Sequence, residues 1–459
     1  MDHDRPKPPP EAWTPALRVA RAAAAPIERF FQVEASSGIV LILAALAALL
    51  WANSPWHEAY EHLWHTPVAV SVGAWSARTD LHFLVNEGLM TLFFFVVGLE
   101  IRREIHEGEL SRWNSAALPL AAAVGGMLVP AAIFTALNRT GEAAGAWGVP
   151  MATDIAFAVG VLTLLGKRTP PALRVMLLAL AIIDDIGAIL VIAVFFSKGL
   201  ALTGAVIAVL ALAAIVLLQR LGVRLPAVYA VPCVALWFGL LQAGIHPTIG
   251  GVAAGLLTPA TAWFGPGGFA SVARQVASRV EDGEREPRRL HDDLQSLAVA
   301  RREALPPGTR LQLLLHPWVS FGIMPLFAFA NAGISLRGFA FHGEHRFLTL
   351  GVLLGLVLGK PVGIVLGSWL AVKSKLTALP TNVTWGGVLL VGLVGGIGFT
   401  MSIFMAGLAL PSMTLLATAK LSVLLASTIA AVVAILFGRL TLPKVDACSA
   451  AEAEASSVD

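Results

Sequence analysis

Asp184 and Asp185 stand side by side within "LALAIIDDIGAILVIAVFF", residues 178–196, a run otherwise apolar from end to end. A charge at the centre of a bilayer costs on the order of 2.5–3.5 kcal/mol on insertion scales, and charges found there mark ion paths or internal polar pairs. Neighbouring residues on a helix diverge by about 100°, so one counter-ion serves one aspartate and leaves the other uncompensated. Two carboxylates this close in a poorly solvated place resist ionising together. The pair can hold protons or a hard cation such as Na⁺, for which oxygen is the preferred ligand, but not both at once. That mutual exclusion is the chemistry of exchange.

Other ionisable residues interrupt apolar runs. Lys360 lies within "LGLVLGKPVGIVLG", and Asp154 follows Thr153 in "PMATDIAFAVG". Glu100 and Glu104 in "FFFVVGLEIRREIHEGEL" are four apart and share a helix face. Glu104 adjoins Arg102 and Arg103 at the interface; Glu100 is deeper, where a role in ion access is expected. Glu87 reads as a headgroup-level residue. Lys360 reads either as counter-ion to one aspartate or as compensation for helix C-termini that face one another. Asp154 would do the same for helix N-termini.

These side chains need long apolar elements to carry them. The chain of 459 residues is 57% hydrophobic and 13% charged, against about 25% charged in soluble domains. Twelve segments are near the roughly 20 apolar residues a membrane helix requires: 36–52, 82–102, 117–138, 147–166, 172–197, 200–219, 226–243, 245–262, 313–335, 347–372, 386–410 and 413–437. Their runs do not alternate as barrel strands would, so the expected fold is an all-α polytopic membrane protein. With a cytoplasmic N-terminus, the inner connections hold 25 Lys and Arg. The outer ones hold Arg78, Arg139, Lys198, Arg337, Arg346 and Lys420. That bias sets both ends in the cytoplasm.

Residues 1–35 read as a cytoplasmic leader rather than a signal peptide, 36–437 as the membrane domain and 438–459 as a polar tail. Residues 53–81 form an outer loop with β-branched alternation, expected to be a hairpin. Residues 263–312 are of mixed charge and read as a solvated tether, with an amphipathic helix in the second half as the alternative. Cys233 and Cys448 suit neither a metal cluster nor a disulfide framework. No basic–aromatic block points to nucleic acid.

Two spans look interrupted. The fourth carries Pro150 and "TDIAF"; the eleventh has six glycines among the thirteen residues Gly386–Gly398. Glycine at this density weakens a helix or else marks tight helix contact. The two spans sit second in the triplets 3–5 and 10–12, which would run in opposite senses, the arrangement of inverted-topology repeats with discontinuous helices.

"ATDIAFAVG", "LALAIIDDIGAI", "GKPVGI", "LHPWVSFGIMPLFAFANAGISL" and "GGIGFTMSIFMAGLA" together resemble the NhaA-type sodium/proton antiporters of bacterial inner membranes, in order from about residue 36 to 437. The leader, the 263–312 linker and the tail fall outside the resemblance. It implies electrogenic exchange of protons for Na⁺ or Li⁺ with no cofactor, in a multi-pass protein of the cell inner membrane. Asp185 matches the principal cation- and proton-binding carboxylate, and Asp184 the neighbour that joins the site and pairs with the lysine matching Lys360. Thr153 and Asp154 match helix-crossing residues. Glu100, with Glu104 beside it, and His246 in "GIHPTIGG" match positions tied to ion access and pH response. Gln312 stands where the family often has an acid linked to pH sensing, and Glu87 where an Asp is common. Members can pair as homodimers through the outer hairpin, which makes 53–81 the expected contact.

Two other classes compete. A proton- or sodium-coupled symporter of another small solute would need a further basic or aromatic pocket, for which Lys360 alone is thin support. An aspartyl intramembrane protease needs two Asp from separate helices facing one peptide, and adjacent residues do not meet that requirement. An enzyme is not expected.

Overall fold

The computed structural model describes residues 34–442 except 73–74, 198, 200, 224, 282–286, 336–341 and 381–382. The leader to residue 33 and the tail from 443 lie outside the described residues. In chain order the elements are α1 (Glu34–Ala52), α2 (His57–Trp64), the hairpin β1 (Pro67–Val72) and β2 (Trp75–Asp80), and α3 (Leu81–Glu107). Then come α4 (Trp113–Leu137), a 3-10 stretch Glu142–Met151, α5 (Ile155–Leu164), α6 (Pro171–Phe195), α7 (Leu202–Arg220), α8 (Pro226–Ala243) and α9 (Thr248–Leu257). The remainder are α10 (Gly265–Glu281), α11 (Pro287–Glu303), α12 (Pro307–Asn331), α13 (Glu344–Lys373), α14 (Trp385–Gly395), α15 (Phe399–Ala409) and α16 (Met413–Thr441).

Eight of the described helices are long and apolar enough to cross a membrane, and three bent pairs raise the number to at most eleven. The segment 245–262 does not reach a span's length: its helix α9 has ten residues. Gly244, in the left-handed region at φ 80°, ends α8, and Pro247 stands just before α9. Bends of 45° at 152–154 and 48° at 396–398 divide the fourth and eleventh segments.

Small residues set which helices approach most closely. On α4 and α13, a Cβ at Gly125 would collide with the backbone oxygen of Gly363, and one at Gly363 with that of Gly125. This contact seats Lys360, one turn before Gly363, beside the centre of the bundle. On α3 and α9, a Cβ at Gly98 would lie 2.6 Å from the Val252 carbonyl oxygen.

β1 and β2 pair antiparallel from Pro67↔Asp80 to Val72↔Trp75. Asp80 then caps α3, accepting from the backbone N–H of Phe83 at 2.8 Å. The 263–312 region is not a tether. α10 and α11 fold back on each other, burying Val276 and Ala300, with Arg279 donating to Asp293 at 2.6 Å. Other apolar side chains of the pair, Val280, Leu290, Leu294 and Val299, are exposed.

Candidate functional site

The two breaks meet at the centre. Pro150 brings no N–H to its turn, and the side chains of Thr153 and Asp154 bind nearby backbone and hydroxyl groups. The extended stretch 152–154 runs past the break at 396–398, where the Asp154 N–H donates to the Ile397 carbonyl at 2.8 Å. Gly398 permits the approach, since a Cβ there would lie 3.0 Å from the Ala152 oxygen. Four helix ends converge in a place remote from solvent, and each needs compensation.

Asp154 serves the two N-termini. Its Oδ1 accepts from the Phe157 N–H of α5 at 3.0 Å, and its Oδ2 accepts from the backbone N–H of Thr400 in α15 at 3.1 Å and from the Thr400 hydroxyl. Lys360 serves a C-terminus, donating to the Met151 carbonyl that ends the 3-10 stretch. The same ammonium lies 2.6 Å from Asp184 Oδ2. One ammonium thus meets both a carboxylate and the end of one helical stretch. The Thr153 hydroxyl, 2.7 Å from Asp184 Oδ2 and 2.9 Å from the Gly395 carbonyl, joins α6 to the end of α14.

Asp185, one residue on, is placed differently. It is 1% exposed, and among the described residues its Oδ1 has no hydrogen-bond partner. Asp184 Oδ1 is likewise unpartnered. A cavity of about 880 Å³ reaches Asp185, passing Glu104 and Glu100 and touching Thr153, Met324 and Met401. A buried oxygen left without a partner costs about 1–3 kcal/mol, more when charged, and a guest proton or cation arriving through the cavity would remove that cost.

Glu100 and Glu104 both line this cavity. Glu104 also accepts from the Glu109 N–H at 2.8 Å, closing the turn after α3. Gln312 is buried and donates to Glu100 Oε1 at 3.2 Å, so it fixes one of the carboxylates that line the cavity. His246 does not line the cavity. It stands between α8 and α9, with Nδ1 3.7 Å from Glu87 Oε1, and the Glu87 side chain is 14% exposed. Lys420, counted with the outer connections, lies inside α16 and donates to Asn331 Oδ1 at 3.1 Å. Sequence reasoning missed Thr400 and Asn331. The polar residues of "GFTMS" and "FAFAN", in otherwise apolar runs, were the available signal.

The family model described as Na⁺/H⁺ antiporter 1 matches residues 28–437. "Na(+)/H(+) antiporter NhaA 2" of Sorangium cellulosum is 57% identical over 458 residues, covering 98% of both chains. The protein of the same name in Myxococcus xanthus is 51% identical over 454 residues, 98% of this chain and 96% of its own. "Na(+)/H(+) antiporter NhaA" of a Janthinobacterium species is 52% identical over 435 residues, 94% and 96%. At 98% coverage the similarity extends through the 263–312 region as well, which the motifs alone had left out.

Proposed function

Because the chain belongs to the Na⁺/H⁺ antiporter 1 family, we propose that it exports Na⁺ or Li⁺ in electrogenic exchange for protons, at Asp184 and Asp185, by alternating access. The asymmetry between the two aspartates carries this reading. Asp185 lines the cavity with an unpartnered oxygen, while Asp184 is held by Lys360 and Thr153 and keeps its second oxygen free. A cation seated between them takes oxygens that protons or the Lys360 ammonium otherwise occupy. Two carboxylates at one site allow more than one proton to exchange for one cation, which is what electrogenic exchange requires.

In this reading the chain spans the bacterial inner membrane twelve times with both termini in the cytoplasm, and α9, which begins at Thr248, is a short span. The 3-10 stretch with α5 and α14 with α15 are discontinuous spans related by inverted topology, supported by their bends and by the caps at Asp154 and Lys360. The Glu104 end of the cavity faces the cytoplasm. β1 and β2 project from the opposite face as a surface for a homodimer, and deleting 67–80 should yield a monomer by light scattering.

Exchange is tested in everted vesicles carrying an acid-interior gradient. Addition of Na⁺ should dissipate ΔpH with the native chain and not with Asp185→Asn. Undiminished exchange by that variant defeats the assignment.

A further inference from the structure

Asp185, Met324 and Met401 are among the residues that line the cavity, and the helix faces that carry its lining continue past them. Along α3, Glu104, Glu100 and Val97 line the cavity, and the same face goes on through Phe94 and Met90 to Asn86 at steps of three or four residues. Along α12, Ser320 and Met324 line it, and the face continues to Phe327 and Asn331. Phe404 of α15 closes the gap, its ring centroid 5.4 Å from Phe94 and 6.1 Å from Phe327. Past the three rings comes a polar cluster. Asn331 donates to Asn86 Oδ1 at 2.7 Å, and the Lys420 ammonium donates to Asn331 Oδ1 at 3.1 Å. Among the described residues, Lys420 has no carboxylate within 4 Å.

We propose that Lys420, Asn331 and Asn86 form the clasp that holds the outer half of the ion path closed. The inference rests on alternating access as read above. Side-chain hydrogen bonds tie α16 to α12 and α12 to α3, whose inner halves line the cavity through α12 and α3. Opening a path from Asp185 to the outside along these faces requires the three helices to part here. The ammonium does two things: it fastens Asn331, and it places an uncompensated positive charge across the route of a cation. His82, within reach of Asn86 at 3.2 Å, borders the clasp on the outer side. Once the clasp parts, water reaches Lys420 and the polar groups it leaves, so the open state is solvated rather than orphaned.

The test uses the full chain with Cys233→Ala, Cys448→Ala and the reporter Met324→Cys, in right-side-out and everted vesicles. A membrane-impermeant cationic methanethiosulfonate should label the reporter readily from the cytoplasmic side and slowly from outside. Lys420→Met should raise the outside rate roughly tenfold, the population change that loss of one charge-assisted hydrogen bond brings. Lys420→Gln, which retains a donor for Asn331, should restore much of the closure. Unchanged outside labelling in both Lys420→Met and Asn331→Ala, with cytoplasmic labelling intact to certify the fold, overturns the proposal. Na⁺-dependent ΔpH dissipation is measured on the same vesicles without the reporter. Loss of that signal in the native background would count against antiport itself, whereas the labelling asymmetry reports the clasp alone.

Discussion

The Lys360 ammonium lies 2.6 Å from Asp184 with both side chains wholly enclosed, while the next residue, Asp185, keeps an oxygen without a hydrogen-bond partner among the described residues. Two identical neighbours thus have divided work. Asp184 is tied into the scaffold through Lys360 and Thr153, and Asp185 is presented to the cavity.

Removing one partner of a buried ion pair costs about 3–5 kcal/mol, because the other charge stays behind unpaired, whereas replacing both with apolar groups is nearly neutral. Asp184→Asn and Lys360→Met should therefore each lower the thermal unfolding temperature in detergent. The double variant Asp184→Leu/Lys360→Met should recover most of the loss and still be inactive in exchange. A double variant as unstable as the sum of the singles would mean that the pair does not act as a pair.

Competition for one site fixes a sign for pH dependence. Each proton that must leave before Na⁺ binds weakens apparent affinity as pH falls, by up to about tenfold per unit for a single proton. The KM for Na⁺ in solid-supported proteoliposomes should rise toward acid and level off toward alkali, with the limiting current at saturating Na⁺ changing less. A KM constant across roughly pH 6–9 would contradict competition at Asp184 and Asp185.

Sequence periodicity locates the helices well because membrane helices announce themselves by length. It fails where length is short or local geometry intervenes. α9 is truncated by Gly244 and Pro247 in front and Pro259 behind, residues visible in the sequence but without a rule that sets how much helix survives. The α10–α11 pair was hidden because charge dominates its composition, and only Val276 and Ala300 betray a buried face. The aspartates, Lys360 and Asp154 stood out because each is costly in an apolar run. Their partners did not. The Met151 and Gly395 carbonyls and the Thr400 N–H are backbone groups that no residue type advertises.

Asp154 caps α5 and α15 together. A cap lost to alanine costs about 0.5–2 kcal/mol, and here two N-termini lose one wholly buried acceptor. Asp154→Ala should destabilise the protein by the sum of two such losses, while Asp154→Asn, which keeps one acceptor oxygen, should lose less. Equal melting temperatures for the two variants would argue that capping is not what Asp154 contributes.

Asp80 links the hairpin to α3 outside the membrane. Partial burial works to raise its pKa, but the Phe83 N–H and the neighbouring His65 outweigh that and hold it below the ordinary carboxylate value. A depressed carboxylate stabilises the folded state above its unfolded pKa, about 3.9, and loses that contribution as pH falls through the folded value. Protease clipping within 67–80 should thus increase on acidification below pH 4 in the native chain. In Asp80→Ala it should be high and flat with pH.

The α4–α13 contact offers a mechanical test of how Lys360 is positioned. Alanine in a helix interior is favoured over glycine by about 0.8–1.0 kcal/mol, so Gly125→Ala would stabilise α4 taken alone. Its methyl, however, would enter the space of the Gly363 carbonyl, and backbone cannot rotate away as a side chain can. Overpacking of this kind costs about 1–3 kcal/mol, enough to overcome the propensity gain and to push α13, with Lys360, away from Asp184. Gly125→Ala should therefore reduce both thermal stability and Na⁺-dependent exchange. Gly88→Ala and Gly407→Ala, whose Cβ atoms meet nothing within 4 Å, should be neutral or slightly stabilising. Full exchange by Gly125→Ala at native stability would show that α4 and α13 have room to spare, and that Lys360 owes its place to its own bonds with Asp184 and Met151.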